Sequence, residues 1–269
     1  LAWVYTHALL HPGCQGDFAS LAERGFPAEQ IVFSSPAGYS LRGWFSPGDR
    51  HPEIAIILLP GHAGNTRFAL DDAAILADAG FSTLVYEHRS CANPELIAST
   101  GYWESQDLLG AVDYLASRDG VAHIGAMGFS EGGTAIILAA ARQPRLEAVV
   151  PMGGYASLRD DILDPGSPNG AYGSIMRQLV LWMTALYGVP ISGSEPVAVI
   201  GDINPRPLLL IYGESEGSAG ALLEAAGPTA QLWIVPGAGH GGYANHDPAE
   251  YRQRITGFFT EAFSLNADP

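Results

Sequence analysis

Three stretches of this chain carry residue types suited to acyl transfer, in an order that lets one sheet edge collect them. The first, Gly128-Phe129-Ser130-Glu131-Gly132, fits the pattern G-x-S-x-G. In a glycine-rich chain the pattern alone is a weak signal, so its setting decides. It stands where the apolar run 124–127 ends and a helical stretch over 131–142 begins. In that strand-turn-helix setting a tight turn lifts a serine into an exposed, strained position. Side chains at Gly128 or Gly132 would crowd the neighbouring strand and helix. The helix N-terminus behind Ser130 adds partial positive charge where an anionic intermediate forms.

A serine hydroxyl is a weak nucleophile at neutral pH and needs a base within hydrogen-bond reach. His240 is the best placed of eight histidines, because Pro236-Gly237-Ala238-Gly239-His240 directly follows the last strand-like run and so reaches the same sheet edge as Ser130. His246 is the rival, but Asp247-Pro248 beside it reads as a helix cap. His7, His11, His51 and His123 fall in terminal segments, loops or a strand start, where solvation is the simpler reading.

The carboxylate that orients the imidazole should follow the strand over 208–212. The loop there, Gly213-Glu214-Ser215-Glu216-Gly217, offers Glu214 and Glu216 and no aspartate. Asp202 lies before the strand, and Asp160, Asp161 and Asp164 read as solvated. An oxyanion hole needs two convergent N–H donors. Glu131 should supply one and His62 the other, with Ala63 in reserve, from the loop Pro60-Gly61-His62-Ala63-Gly64-Asn65. The His62 side chain either lines the site or faces solvent.

Strand-like and helix-like runs alternate along the chain, which predicts an α/β fold with a mostly parallel sheet covered by helices. An antiparallel pair is expected over 31–34 and 39–45, and strands over 54–59, 82–86, 122–127, 147–150, 208–212 and 231–235. Helices are expected over 67–79, 105–117, 131–142, 218–226 and 248–263, the last capped by Asp247. The alternation fails over 155–200, an insertion whose segment 174–187 is apolar on nearly every side. Either it packs into the main core, or it forms a small helical cap whose Met176, Leu179, Trp182, Met183 and Tyr187 face a substrate pocket. The whole, 1–269, reads as one domain with an N-terminal extension over 1–29.

The net charge is −15 and every basic residue is Arg, so nucleic acid and anionic membrane surfaces are poor partners. Cys14 and Cys91 are too few for a disulfide framework and lack zinc-site spacing, and nothing in the sequence brings them together, although a single bridge stays open. The apolar segment 1–10 is too short to span a bilayer. It reads as the remainder of a longer signal or anchor segment, which leaves a cytoplasmic or membrane-anchored location open.

These features together resemble the α/β-hydrolase superfamily and, within it, the BEM46-like or serine aminopeptidase-like hydrolases. The matching stretches span about 30 to 262: Gly38-Tyr39-Ser40-Leu41-Arg42-Gly43-Trp44, the Pro60–Asn65 loop, the turn at Ser130, Asn204-Pro205-Arg206-Pro207 with Tyr212-Gly213-Glu214, and the His240 loop. The resemblance implies an eight-stranded sheet, a Ser-acid-His triad, ester or amide hydrolysis, no cofactor or metal, and in many members an N-terminal membrane anchor. In the family pattern the acid comes three residues after the glycine that ends its strand, which counted from Gly213 reaches Glu216. Three places depart from it: Pro60-Gly61 where His-Gly is usual, Arg89-Ser90-Cys91 where Arg-Gly-x-Gly-x-Ser is frequent, and Glu216 where Asp is usual.

The expected function is hydrolysis of a carboxylic ester with a short or medium acyl group, through an acyl-enzyme. An aminopeptidase or amidase on the same triad would need a further carboxylate for the substrate's ammonium group. A non-catalytic binding protein of the same fold would be expected to lack a triad member, and here every position is filled.

Overall fold

Residues that alternate between the two faces of a strand, yet are apolar on both, demand a sheet covered on both sides. The computed structural model, which describes residues 1–14, 18–62, 64, 66–163 and 170–264, shows this arrangement. In β3 (His51–Leu59), Ala55, Ile57 and Leu59 enter one core layer while Ile54, Ile56 and Leu58 enter the other. The first layer is closed by the helices Tyr102–Ala116, Glu131–Ala140 and Ser218–Ala226, the second by Leu70–Asp78 and Pro248–Ala262. Asp247 caps the closing helix, its side chain accepting the Glu250 N–H at 2.9 Å.

β1 (Glu29–Ser34) and β2 (Ser40–Ser46) form the expected antiparallel pair, and β2 also runs antiparallel to β4 (Phe81–Tyr86). All other pairs are parallel, with β5 (His123–Phe129), β6 (Leu146–Met152), β7 (Leu208–Gly213) and β8 (Ala230–Val235) completing the order β1-β2-β4-β3-β5-β6-β7-β8. The chain leaves β3 towards β4 on one side and returns as β5 on the other. Loops after β3 and β5 therefore emerge side by side, in the crevice where open α/β sheets bind ligands. Register sets the juxtaposition, because Leu59 pairs with Gly128.

One expectation needs correction, the place of the insertion helix. The segment Ala2–Leu10 is a helix, and it packs against the insertion helix Gly170–Leu186. The insertion helix accordingly belongs neither to the main core nor to a pocket wall. It buries Val180, Leu181 and Thr184 and turns Ile175, Leu179, Trp182 and Leu186 outward. An all-round apolar sequence gives no hint of which side faces which neighbour. Tyr187 instead packs beside Leu10, Leu158 and Val189 in a satellite cluster. Residues 164–169, including Asp164, lie outside the described residues, and among those described no helix is long and apolar enough to cross a membrane.

Cys14 and Cys91 are bonded, with Cα atoms 4.7 Å apart, tying the N-terminal segment to the short helix Arg89–Ala92 after β4. Ser90 Oγ donates to the Gly13 carbonyl at 3.1 Å, and the Ala98 N–H donates to the Leu10 carbonyl at 2.8 Å, so the N-terminal segment is held at both points. Sequence spacing could not reveal a bridge between positions 77 apart. Closing so long a loop removes much unfolded-chain freedom, so Cys14→Ser is expected to lower stability by about 4 kcal/mol in chemical denaturation. Added reductant should produce the same loss in the wild type and none in the variant.

Candidate active site

Ser130 sits between β5 and the helix Glu131–Ala140 with φ 55° and ψ −117°, in the left-handed half of backbone space that non-glycine residues avoid. Its N–H donates to the Met152 carbonyl at 2.7 Å and its carbonyl accepts the Thr134 N–H at 3.0 Å, which pins the turn to β6 and to its own helix. The turn is possible because Gly132 presses on β3. A Cβ there would lie 2.7 Å from the Pro60 carbonyl oxygen and 2.9 Å from Leu59.

His240 reaches Ser130 from the loop after β8. Its Nε2 lies 3.0 Å from Ser130 Oγ and its Nδ1 lies 2.7 Å from Glu216 Oε1. A carboxylate only accepts, so the proton resides on Nδ1 and the Nε2 lone pair faces the serine hydroxyl. The second Glu216 oxygen accepts the Tyr243 hydroxyl at 2.6 Å and the Gly213 N–H at 2.5 Å. Burial raises the Glu216 carboxyl, but hydrogen bonds from His240, Tyr243 and Gly213 outweigh it and hold the group below the usual range. Glu214 points elsewhere and accepts the Gly237 N–H at 3.0 Å.

Two residues without a sequence signal complete this side. Phe129 packs its ring 4.8 Å from that of His240, and Tyr243 lies three positions beyond that histidine. Gly153, at φ 59°, makes room for Glu216 and its partner Tyr243. A Cβ there would come within 2.5 Å of the Tyr243 hydroxyl and 3.0 Å of Glu216 Oε1.

On the opposite side, Gly61 lies against the Ser130 turn, where a Cβ on it would be in ordinary contact with Ser130 Cβ at 3.6 Å, and His62 is the next residue in the chain. Ala63 lies outside the described residues. The His62 ring is not simply solvated: Nδ1 lies 2.5 Å from Glu131 Oε2, while Glu131 Oε1 lies 3.2 Å from Nε2 of the buried His88. Burial would raise the Glu131 carboxyl, yet His88 and His62 hold it below the usual carboxylate range. Burial opposes a charge on His62, but the Glu131 carboxylate prevails and raises the imidazole.

His88, Glu104 and Glu131 bring ligand-type atoms within 4.8 Å of one another. Glu104 is already occupied by Ser99 and the Gly101 N–H, and Glu131 by the two histidines, so the grouping is a hydrogen-bonded network.

A cavity of about 340 Å³ opens over Ser130, bordered by Leu9, Thr100, Gly154, Tyr155, Asp161 and Ser218 besides the residues above. Met176, Trp182 and Met183 do not line it. Their helix packs against the N-terminal helix, which itself contributes Leu9 to the cavity. Asp161, expected to be simply solvated, stands at this cavity. Removing one donor from Glu216 should weaken the whole arrangement, so Tyr243→Phe is expected to lower stability at neutral pH by about 2 kcal/mol, the range for a hydrogen bond to a charged group. The Glu216 pKa is lowered on folding, so its stabilisation is present above the ordinary carboxylate pKa and lost on acidification through the folded value. The gap between wild type and variant in urea titrations should therefore be widest near neutrality and narrow as pH falls below about 4.

With this geometry in place, the comparisons are informative. The esterase Pf2001 of Pyrococcus furiosus has a similar structure, with a TM-score of 0.74 at 18% identity, covering 93% of this chain and 99% of that one. The α/β hydrolase GrgF from Penicillium sp. sh18 is similar at TM-score 0.69 and 19% identity, covering 89% of this chain and 100% of that one. Est1E of Butyrivibrio proteoclasticus, solved with ferulic acid bound, is similar at TM-score 0.65 and 18% identity, covering 87% and 99%. At these identities the likeness establishes the α/β-hydrolase fold. No curated protein sequence matches. Residues 73–266 match the prolyl oligopeptidase family, rather than naming the BEM46-like group, and span both Ser130 and His240. The chain is thus a hydrolase of the α/β fold and belongs to the prolyl oligopeptidase family.

Proposed function

We propose that the chain hydrolyses carboxylic esters of short or medium acyl length through an acyl-enzyme on Ser130. The observation that carries this reading is the continuous hydrogen-bonded run from Ser130 Oγ through His240 to Glu216, at 3.0 and 2.7 Å, opening onto a single cavity. Ser130 Oγ attacks the acyl carbon while His240 Nε2 takes its proton, and Glu216 stabilises the imidazolium that results. The carbonyl oxygen becomes an anion held by the N–H groups of Glu131 and His62. The imidazolium returns the proton to the departing alkoxide, and water then repeats the sequence on the acyl-enzyme.

The cavity volume, about 340 Å³, lies at the small end of ligand sites and suits a modest acyl group. Among the described residues, its apolar contacts come from Leu9 and Tyr155. Asp161 at the same cavity supports a second reading, in which a substrate ammonium is held there and an aminoacyl bond is cleaved. p-Nitrophenyl esters tested beside aminoacyl-p-nitroanilides separate the two: ester preference is expected, and faster anilide cleavage that falls in Asp161→Asn would select the second.

Ser130→Ala is expected to lower kcat by about 10⁴- to 10⁶-fold with the fold intact, and a fluorophosphonate should label wild type once and the variant not at all. Glu216→Gln should cost roughly 10⁴ in kcat and Glu214→Gln about tenfold or less, and reversal of that order would refute the assignment of the acid. Chain-length profiles test the acyl site. Leu9→Ala should shift the preferred p-nitrophenyl ester towards longer acyl chains, whereas Trp182→Ala should leave the profile unaltered.

A further inference from the structure

Glu131 is used twice. Its backbone N–H is the first of the helix that follows Ser130, while its side chain runs back to the loop after β3 and joins the ring of His62 at 2.5 Å. The two residues proposed to donate to the oxyanion are therefore tied to each other by a side-chain bond as well as placed by β3 and β5. The tie has a fixed rear anchor. Glu131 is 4% exposed and its other oxygen meets His88, which is 3% exposed and sits on the loop after β4. His62, with its side chain about one-third exposed, is the one member of the three that stands on a loop open to solvent.

We infer that the Glu131 carboxylate is a positioning residue for the oxyanion hole: through the His62 imidazole it fixes the loop after β3 so that the His62 N–H converges with the Glu131 N–H. This rests on the acyl-transfer reading above. The physical reason is that a hydrogen-bond donor stabilises the tetrahedral oxyanion only when aimed at the point where charge develops. A loop glycine such as Gly61 sets no direction by itself. The carboxylate can serve beside a developing anion because imidazole N–H groups meet both of its oxygens. The side chain acts on the transition state through another residue's backbone and does not touch the substrate.

His62→Ala is the direct test, because it retains the backbone N–H and removes the imidazole tie at a position exposed enough for the fold to survive, and Glu131→Ala, which removes the carboxylate as well, separates loss of the tie from the charge that His62→Ala leaves unpaired. Since loss of an oxyanion donor costs about 10²–10³ in kcat, a misdirected one should cost roughly 30- to 100-fold, with KM changed by no more than about threefold. Phenylboronic acid forms a tetrahedral adduct on the serine oxygen, so its Ki should rise by a factor similar to the fall in kcat/KM. Glu131→Ala should match His62→Ala, and the double variant should be no worse than either single one. Wild-type kcat and boronate affinity in His62→Ala, or single losses that multiply in the double variant, would overturn the inference while leaving the Ser130 reading in place. A wild type that neither cleaves esters nor takes fluorophosphonate on Ser130 would overturn both.

Discussion

The backbone of Ser130 is the constraint on which the rest of the site depends. A non-glycine residue in this conformation costs on the order of 1–3 kcal/mol and persists only where its surroundings over-determine it. Here they do: β6 accepts the Ser130 N–H, the helix behind it accepts nothing bulkier than glycine at position 132, and β3 lies against both glycines of the turn. Parallel pairing of β3, β5 and β6 holds all three strand ends level, so the strain is borne by the two-layered core. In return the hydroxyl meets His240 on the loop that follows β8.

Two carboxylates flank that hydroxyl, each joined to an imidazole. Glu216 orients His240, and Glu131 holds His62. A protein with a net charge of −15 has no shortage of acids, but an unpaired carboxylate near a developing oxyanion would oppose it. In the mechanism proposed above, pairing each acid with imidazole N–H groups, and Glu216 also with a tyrosine and a backbone N–H, would remove that penalty and make the acids geometric fixtures. The N-terminal segment, strapped by Cys14–Cys91 and by Ala98 to Leu10, then brings Leu9 to the cavity.

Much of this was legible in the sequence because it depends on short-range chemistry. Alternating apolar strands, the Asp247 cap, and the glycine turn around Ser130 each carry a local signal, and chain order alone aligned Ser130, His240 and the 213–217 loop along one sheet edge. What stayed hidden depends on contacts far apart in sequence. Cys14 meets Cys91 only through the fold, and the N-terminal helix is covered by a helix more than 160 positions later. The insertion helix is apolar on nearly every side, so its sequence could not distinguish the face seated on a neighbour from the face bearing Trp182. His88 stands in a loop whose sequence departs from the family pattern, and only its burial against Glu131 gives it a place beside the site.

In the proposed reaction Ser130 carries the acyl group during turnover. Rapid acid quench of the enzyme with a p-nitrophenyl ester, followed by peptide mass spectrometry, tests it most directly. A burst of p-nitrophenol close to one per chain is expected, with a matching acyl mass on the peptide containing Ser130. Undiminished turnover with no acyl mass on that peptide, or with the acyl group on another residue, would contradict it.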